Sequence, residues 1–466
     1  MAIAAQAAVA ATNDISGTTY DTYGHDLGYG NHVYVNDTFN AGSYVDGYVD
    51  YDGYVGWNNS TDGYYDGDIY PVINKSVVNG VISTYYLGYD SSNTADTLNI
   101  SNSTIHGMVT SSCVTDECAN DTDHQLGTLQ LTVDNSTIDD TYEHYDYDVT
   151  TNDVRDHDLY NTYAMGNAIT LDQEANVVIQ NNSHVAGITL VQGYYWPDSA
   201  TNSPEIFTDT VTVKDSVVTS GAYSELDNTG FYGQSGKPSD YAGTSTAGLD
   251  DAALIVMASR TDNAMQTTAT FDHSTLTGDV LFSSVFDNNF DPTGHDSNGD
   301  NVKDTNGWDD QDSLNLTLTN GSKWVGAAVS SVEHTNTLYD YSANRLWPTD
   351  EFDVNGDFTS ASVYQSGLFN VTLDNNSEWD TRKTSNIDTL TINNGSQVNV
   401  VNSSLLADSI TLNNGSSMQI GDSNSAGTTI PNSYGYNNGV ATDSLNINSG
   451  SQVILTEETA ALYANT

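Results

Sequence analysis

Three stretches late in the chain decide the fold: Leu390-Thr-Ile-Asn-Asn-Gly-Ser-Gln-Val398, Ile410-Thr-Leu-Asn-Asn-Gly-Ser-Ser-Met418 and Leu445-Asn-Ile-Asn-Ser-Gly-Ser-Gln-Val453. In each, apolar and polar residues alternate, a short turn intervenes, and the alternation resumes. Period-two alternation builds a strand with one buried face, and Asn-Gly-Ser supplies the left-handed residue of a tight corner. Earlier copies begin at Leu98, Leu129, Val178, Leu316 and Val371. One strand–corner–strand unit repeated this often predicts a solenoid, in which each coil buries its apolar face only by stacking on the next. The expected fold is all-β: a right-handed parallel β-helix with three faces.

Spacing between copies is uneven. Leu390 and Ile410 are 20 residues apart, Ile410 and Leu445 35, Leu98 and Leu129 31, and Leu316 and Val371 55. About twenty residues suffice for one bare coil of three short strands. Longer gaps predict insertions at 139–166, 193–208, 224–250, 286–312 and 334–366, expected on one face of the solenoid. Ala253-Leu-Ile-Val-Met-Ala258 reads as a cryptic coil between Val211 and Phe271. The alanine-rich start, ending in Ala8-Val-Ala10, makes 1–14 a signal-peptide remnant and tail. Residues 15–466 read as one β-helix domain, with an irregular cap and first coils at 15–95, coils with long insertions at 96–385, and bare coils at 386–466.

Sixty-two acidic residues against ten basic ones leave a net charge of −52. That charge argues against nucleic acid and anionic membrane surfaces as partners. Thirty tyrosines argue against disorder of the low-hydrophobicity kind. No run of eighteen apolar residues is present, so no helical membrane span is expected. Cys113 and Cys118 are separated by four residues on a polar stretch. Metal binding would need two more soft ligands, for which only His106 and His124 are near; a small disulfide loop formed in an oxidising compartment is the preferred reading.

The corner column of Asn102, Asn135, Asn182, Asn320, Asn376, Asn394 and Asn414 reads as structural, with stacked amides bonding along the solenoid axis. The most specific local motif is Asp296-Ser-Asn-Gly-Asp-Asn-Val-Lys-Asp304. Oxygens from Asp296, Asn298, Asp300, Asp304 and the Val302 carbonyl suit a structural calcium ion. It departs from the usual loop by having Asn301 where a glycine stands and Gly307 where a bidentate acid stands. The alternative is a solvated acidic turn. A shorter echo is Asp353-Val-Asn-Gly-Asp357.

Adjacent acids such as Asp139-Asp140, Asp250-Asp251 and Asp309-Asp310 are expected by composition alone, and catalysis would need two in opposed environments. No catalytic residue and no enzyme activity is therefore expected. Binding is the better reading. Tyr194, Tyr195 and Trp196 sit in a predicted insertion, where exposed rings point to ligand contact or to the loop packing on itself. Lys214, Asp215, Lys237, Arg260, Lys323 and Arg382 complete the candidate ligand-binding set; the basic ones offset the acidic field locally.

Short coils with Asn-Asn-Gly-Ser corners, a signal-like start, an acidic composition and a closely spaced cysteine pair resemble a monomeric autotransporter passenger of the bacterial adhesin branch, nearest to the UpaB-like uropathogen adhesins. That resemblance implies export through the periplasm and outer membrane, display on the bacterial surface, and no cofactor. It also implies host fibronectin and glycosaminoglycans as partners, with cell–cell self-association as the alternative; polysaccharide processing, which enzymes of the same fold perform, is a third reading. No ten-residue barrel strands precede Thr466, so the translocator barrel is expected outside this chain.

Overall fold

The alternation closes into a three-sided coil. The computed structural model describes residues 13–20, 32–40, 54–56, 72–83, 96–110, 128–139, 167–171, 174–191, 206–221, 252–258, 264–285, 312–333, 367–381, 385–400, 403–421, 439–456 and 460–464. Among them are thirty-three strands and no helix, and the strands pair in parallel from coil to coil. The fold is the parallel β-helix that the repeat predicts.

One coil shows the plan. Ile206–Lys214 lies in a first sheet, Val217–Thr219 in a second and Ala252–Ala258 in a third. The next coil begins with Ala264–Asp272, which pairs with Ile206–Lys214 in unbroken register from Ile206↔Ala264 to Lys214↔Asp272. The stretch from Ala253 to Ala258 is therefore the third side of this coil and not a cryptic coil of its own. A short apolar run carries no information on which sheet it joins; only the chain length around the coil reveals that.

Inward residues stack in columns. The first sheet contributes Leu131, Val177, Val211, Ala269, Leu316, Val371, Leu390 and Ile410. The second contributes Ile138, Val185, Val218, Leu276, Trp324, Trp379, Val398 and Met418. All are buried to within 1% of completely. Burying one such side chain contributes about 1.5–3 kcal/mol, so the column is the chief source of stability in every coil.

The corner between first and second sheets is held by two ladders. At its apex one or two residues adopt positive φ: one at Asn102 (50°), Asn135 (45°), Asp215 (49°) and His273 (49°), two at Asn181–Asn182 and Asn375–Asn376. From Lys75 to Asn414 a serine follows each apex and points inward, Ser76, Ser103, Ser216, Ser396 and Ser416 among them, all buried; after Asn36 the place is taken by the buried Asp37. The Ser183 N–H donates to Ser216 Oγ at 3.1 Å, Ser216 N–H to Ser274 Oγ at 3.2 Å, and Ser274 N–H to Ser322 Oγ at 3.0 Å. Each hydroxyl in turn donates to the carbonyl closing its own strand, as Ser216 does to Lys214 at 2.8 Å. Corner amides that would be buried and unpaired are thus satisfied coil by coil.

Outside runs the amide ladder. Asn135 Nδ2 donates to Asn102 Oδ1 at 2.8 Å, Asn394 to Asp374 at 2.6 Å and Asn414 to Asn394 at 3.0 Å. The corner asparagines are therefore structural, as the sequence indicated.

In every described coil, two to four residues link the first and second sheets. The long interruptions lie elsewhere. Segments 140–166, 222–251 and 422–438 join the second sheet to the third, and 111–127, 192–205, 286–311 and 334–366 join the third to the first. Insertions thus attach along both borders of the third sheet and leave the first–second corner continuous.

Candidate functional site

The three outer faces differ chemically. On the first sheet, one outward column runs Thr132, Val178, Thr212, Thr270, Thr317, Thr372, Thr391, Thr411 and Asn446. The column beside it runs Gln130, Asn176, Thr210, Thr268, Asn315, Asn370, Thr389, Ser409 and Ser444. Neither holds a charge. Hydroxyls and amides bond along the axis, as in Asn370 Nδ2 to Asn315 Oδ1 at 3.0 Å and Thr389 Oγ1 to Asn370 Oδ1 at 2.5 Å. Threonine suits an exposed strand face through its branched Cβ, and stacked threonines pack their methyls. Bordering the corner is a third column that does carry charge, at Asp134, Lys214, Asp272 and Asp374.

The second sheet is mixed. Lys323 sits in Lys323–Val325 and pairs with Glu378 one coil on, Nζ to Oε2 3.3 Å. Both side chains are well exposed, so the pair adds little stability. Asn399 Nδ2 donates to Glu378 and Asp380, closing a small polar cluster on the same face.

Across three coils the third sheet is apolar on its outer side, whereas Thr170 and Thr189 hold the same column in the two coils before. Ala252, Ile255, Leu281, Ala327 and Val329 form a second hydrophobic cluster, separate from the interior core, with Val191 packed against it. Ile255 is fully buried and Leu281 7% exposed although they point away from the interior.

Buried carboxylates close corners. Asp209 accepts the Ala175 N–H at 2.8 Å, Asp312 that of Met265 at 2.7 Å, Asp388 that of Phe369 at 2.6 Å and Asp279 that of Ala327 at 2.8 Å. Desolvation pushes the Asp209 carboxyl up to about 7, against the lowering pull of that hydrogen bond and with help from the nearby Glu174 charge. Asp388 is likewise raised to about 7, by burial first, its Phe369 bond opposing and Asp408 adding repulsion. Asp408 is raised by burial and by Asp443. Asp388, Asp408 and Asp443 hold the same place on successive coils. Each of the four capping acids is occupied by a backbone donor, a structural role that sequence reasoning missed.

Of the predicted ligand-binding residues, Lys214 is exposed at the end of its first-sheet strand, and Asp215 sits at the adjoining corner, 2.7 Å from His273 Nδ1. Lys323 lies two coils away on another sheet, so Lys214 and Lys323 are not brought together. Tyr194, Tyr195, Trp196, Lys237, Arg260 and Arg382 lie outside the described residues. So do the calcium candidates Asp296, Asn298, Asp300, Val302 and Asp304, and the cysteines Cys113 and Cys118. Among the described residues no group of three or more His, Cys, Asp or Glu side chains is placed to hold a metal ion. His106, weighed as a metal ligand, instead faces Asp139, Nδ1 to Oδ2 3.0 Å.

The class that the fold defines is a long parallel β-solenoid whose long interruptions border one sheet. Residues 1–382 match the family described as "Autotransporter YaiT, N-terminal passenger repeat", and the chain belongs to that family. It is 44% identical to YaiT of Escherichia coli strain K12 over 469 residues, covering 91% of this chain and 46% of that protein. It is 42% identical to YaiT of Salmonella typhimurium strain LT2 over 519 residues, covering 98% of this chain and 50% of that one. The chain therefore spans about half the length of the curated relatives it matches. No solved structure matches it. The autotransporter family implies export through the outer membrane to the cell surface.

Proposed function

We propose that the chain is a bacterial surface adhesin, a binding rather than a catalytic module, that meets host extracellular-matrix protein through the side bearing its third sheet. The observation that carries this reading is the placement of the insertions. All the long interruptions attach along the two borders of one sheet, and in a solenoid the insertion-bearing face is commonly the binding face.

Fibronectin, the ligand drawn from the UpaB-like resemblance, fits the charge balance through its basic segments, which a chain at −52 attracts. Glycosaminoglycans, the second ligand so drawn, need relief from that field. Lys323 is engaged by Glu378 and distant from Lys214, so an acidic glycan would rely on Lys237, Arg260, Arg382, loop aromatics and calcium at Asp296–Asp304. Individual contacts of this kind are weak, and dense display on a cell raises their avidity.

Solid-phase binding to fibronectin and to heparin-like glycans, with and without chelator, tests the proposal. Saturable fibronectin binding is expected, lowered when 334–366 is replaced by a short linker. Absence of binding to every matrix component would overturn it. Loss of glycan binding on chelation would support the calcium site, and shortening of the glycan would replace the adhesin reading with an enzymatic one.

A further inference from the structure

In a chain of net charge −52, one broad face carries no charge at its centre. The two central columns of the first sheet hold only Thr, Asn, Gln, Ser and a single Val over nine coils, from Leu129–Asp134 to Gly439–Ile447. The face is open at Thr212, Thr268 and Asn315, all three exposed. No insertion rises at its other border.

We propose that two copies of this chain pair side by side through this face, with their axes parallel, as molecules displayed in the same direction stand. The proposal goes beyond the adhesin reading, does not depend on it, and departs from the monomer that the resemblance implies.

Charge selects the occupant. A face without charge at its centre spares a second copy the like-charge repulsion that a chain at −52 would otherwise meet. Packed sheets lie about 10 Å apart, close to the Debye length of about 8 Å at physiological ionic strength. Local charge on the meeting faces then dominates, and the first-sheet centre has none to repel. Size agrees. Nine coils at about 4.8 Å by a strand of five residues at about 3.3 Å give roughly 700 Å² per partner, close to a standard interface.

Charge also selects the orientation. A two-fold axis parallel to the solenoid lays the threonine column on its own copy. It sets the column holding Asp134, Lys214, Asp272 and Asp374 against the uncharged column of the partner. A two-fold axis across the solenoid would instead lay the charged column on itself, with Asp272 opposite Asp374 when all nine coils overlap.

Single-cysteine additions test this. In a parallel pair Thr212→Cys and Thr411→Cys each face themselves, so both should give disulfide-linked dimers under mild oxidation, above the level of the parent chain with its own Cys113 and Cys118. Val217→Cys on the second sheet should not. Sedimentation should show a dimer that Thr317→Asp with Thr372→Asp weakens on the order of 100-fold, with circular dichroism unchanged. Crosslinking by only one of the two first-sheet cysteines would mean antiparallel pairing and overturn the proposal. A monomer at high concentration with neither cysteine linking would overturn it as well.

Discussion

Trp324 and Trp379 stack one above the other inside the coil, ring centroids 4.4 Å apart and planes within 4° of parallel. Each indole N–H reaches a backbone carbonyl at 2.9 Å, Trp324 to Gly278 and Trp379 to Gly326. Two large rings fit in register because glycine stands where they meet the wall. A Cβ on Gly326 would lie 2.0 Å from the Gly278 carbonyl oxygen. Trp379→Ala should therefore cost about 3–5 kcal/mol of local stability and abolish the near-ultraviolet signal of the pair. Gly326→Ala should act comparably through backbone displacement. Denaturant titration followed by tryptophan fluorescence checks both.

The buried serine ladder yields a sharper comparison. Ser216→Ala removes the acceptor of the Ser183 N–H and the donor to the Lys214 carbonyl, leaving buried groups unpaired. The expected loss is about 1–3 kcal/mol. Gln130→Ala, on the exposed face, should stay within about 0.5 kcal/mol of the parent. Equal losses in chemical denaturation would contradict the ladder.

Asp209 ties stability to pH. Its carboxyl is raised from 3.8 to about 7 chiefly by burial, so the folded state holds a proton that the unfolded state releases. That stabilising contribution is complete below about pH 4, declines between about 4 and 7, and is gone above. Asp209→Asn, which keeps an oxygen for the Ala175 N–H, should flatten this slope and be the more stable protein at pH 8 by a few kcal/mol. Melting temperatures of both proteins across pH 4–8 test the sign.

The outer ladder is sensitive to one atom. Asn394 donates to Asp374 at 2.6 Å. Asn394→Asp replaces that donor with a second carboxylate and should destabilise the corner at pH 7 but recover near pH 4, where the pair can share a proton. Thermal melts at the two pH values distinguish this from simple loss of a corner residue, which would be independent of pH.

Much of this was legible in the sequence, because alternation at Leu390–Ile392 or Ile410–Leu412 admits one buried face only. The corners of Asn102, Asn135 and Asn394 were legible for the same reason. Those of Lys75, Asp215 and His273 were not, since none carries the Asn or Gly that marks the other corners; the serine that follows each was the available signal. The stretch Ala253–Ala258 was misjudged because residues buried on both faces lose alternation. Lys214 and Lys323 looked alike as isolated cations, yet only coil register could place them on different sheets.

The serine rungs also set how the molecule would yield to force. Tension along the solenoid axis loads the bonds between coils directly, and a coil that peels away releases the chain stored within it. Rung spacing is 19 residues between Ser377 and Ser396 but 58 between Ser216 and Ser274. At about 3.6 Å per extended residue, one step would lengthen the molecule by roughly 70 Å and the other by roughly 210 Å. Insertions thus act as stored slack, and a tether held at a surface would extend in unequal steps before its last coils gave way.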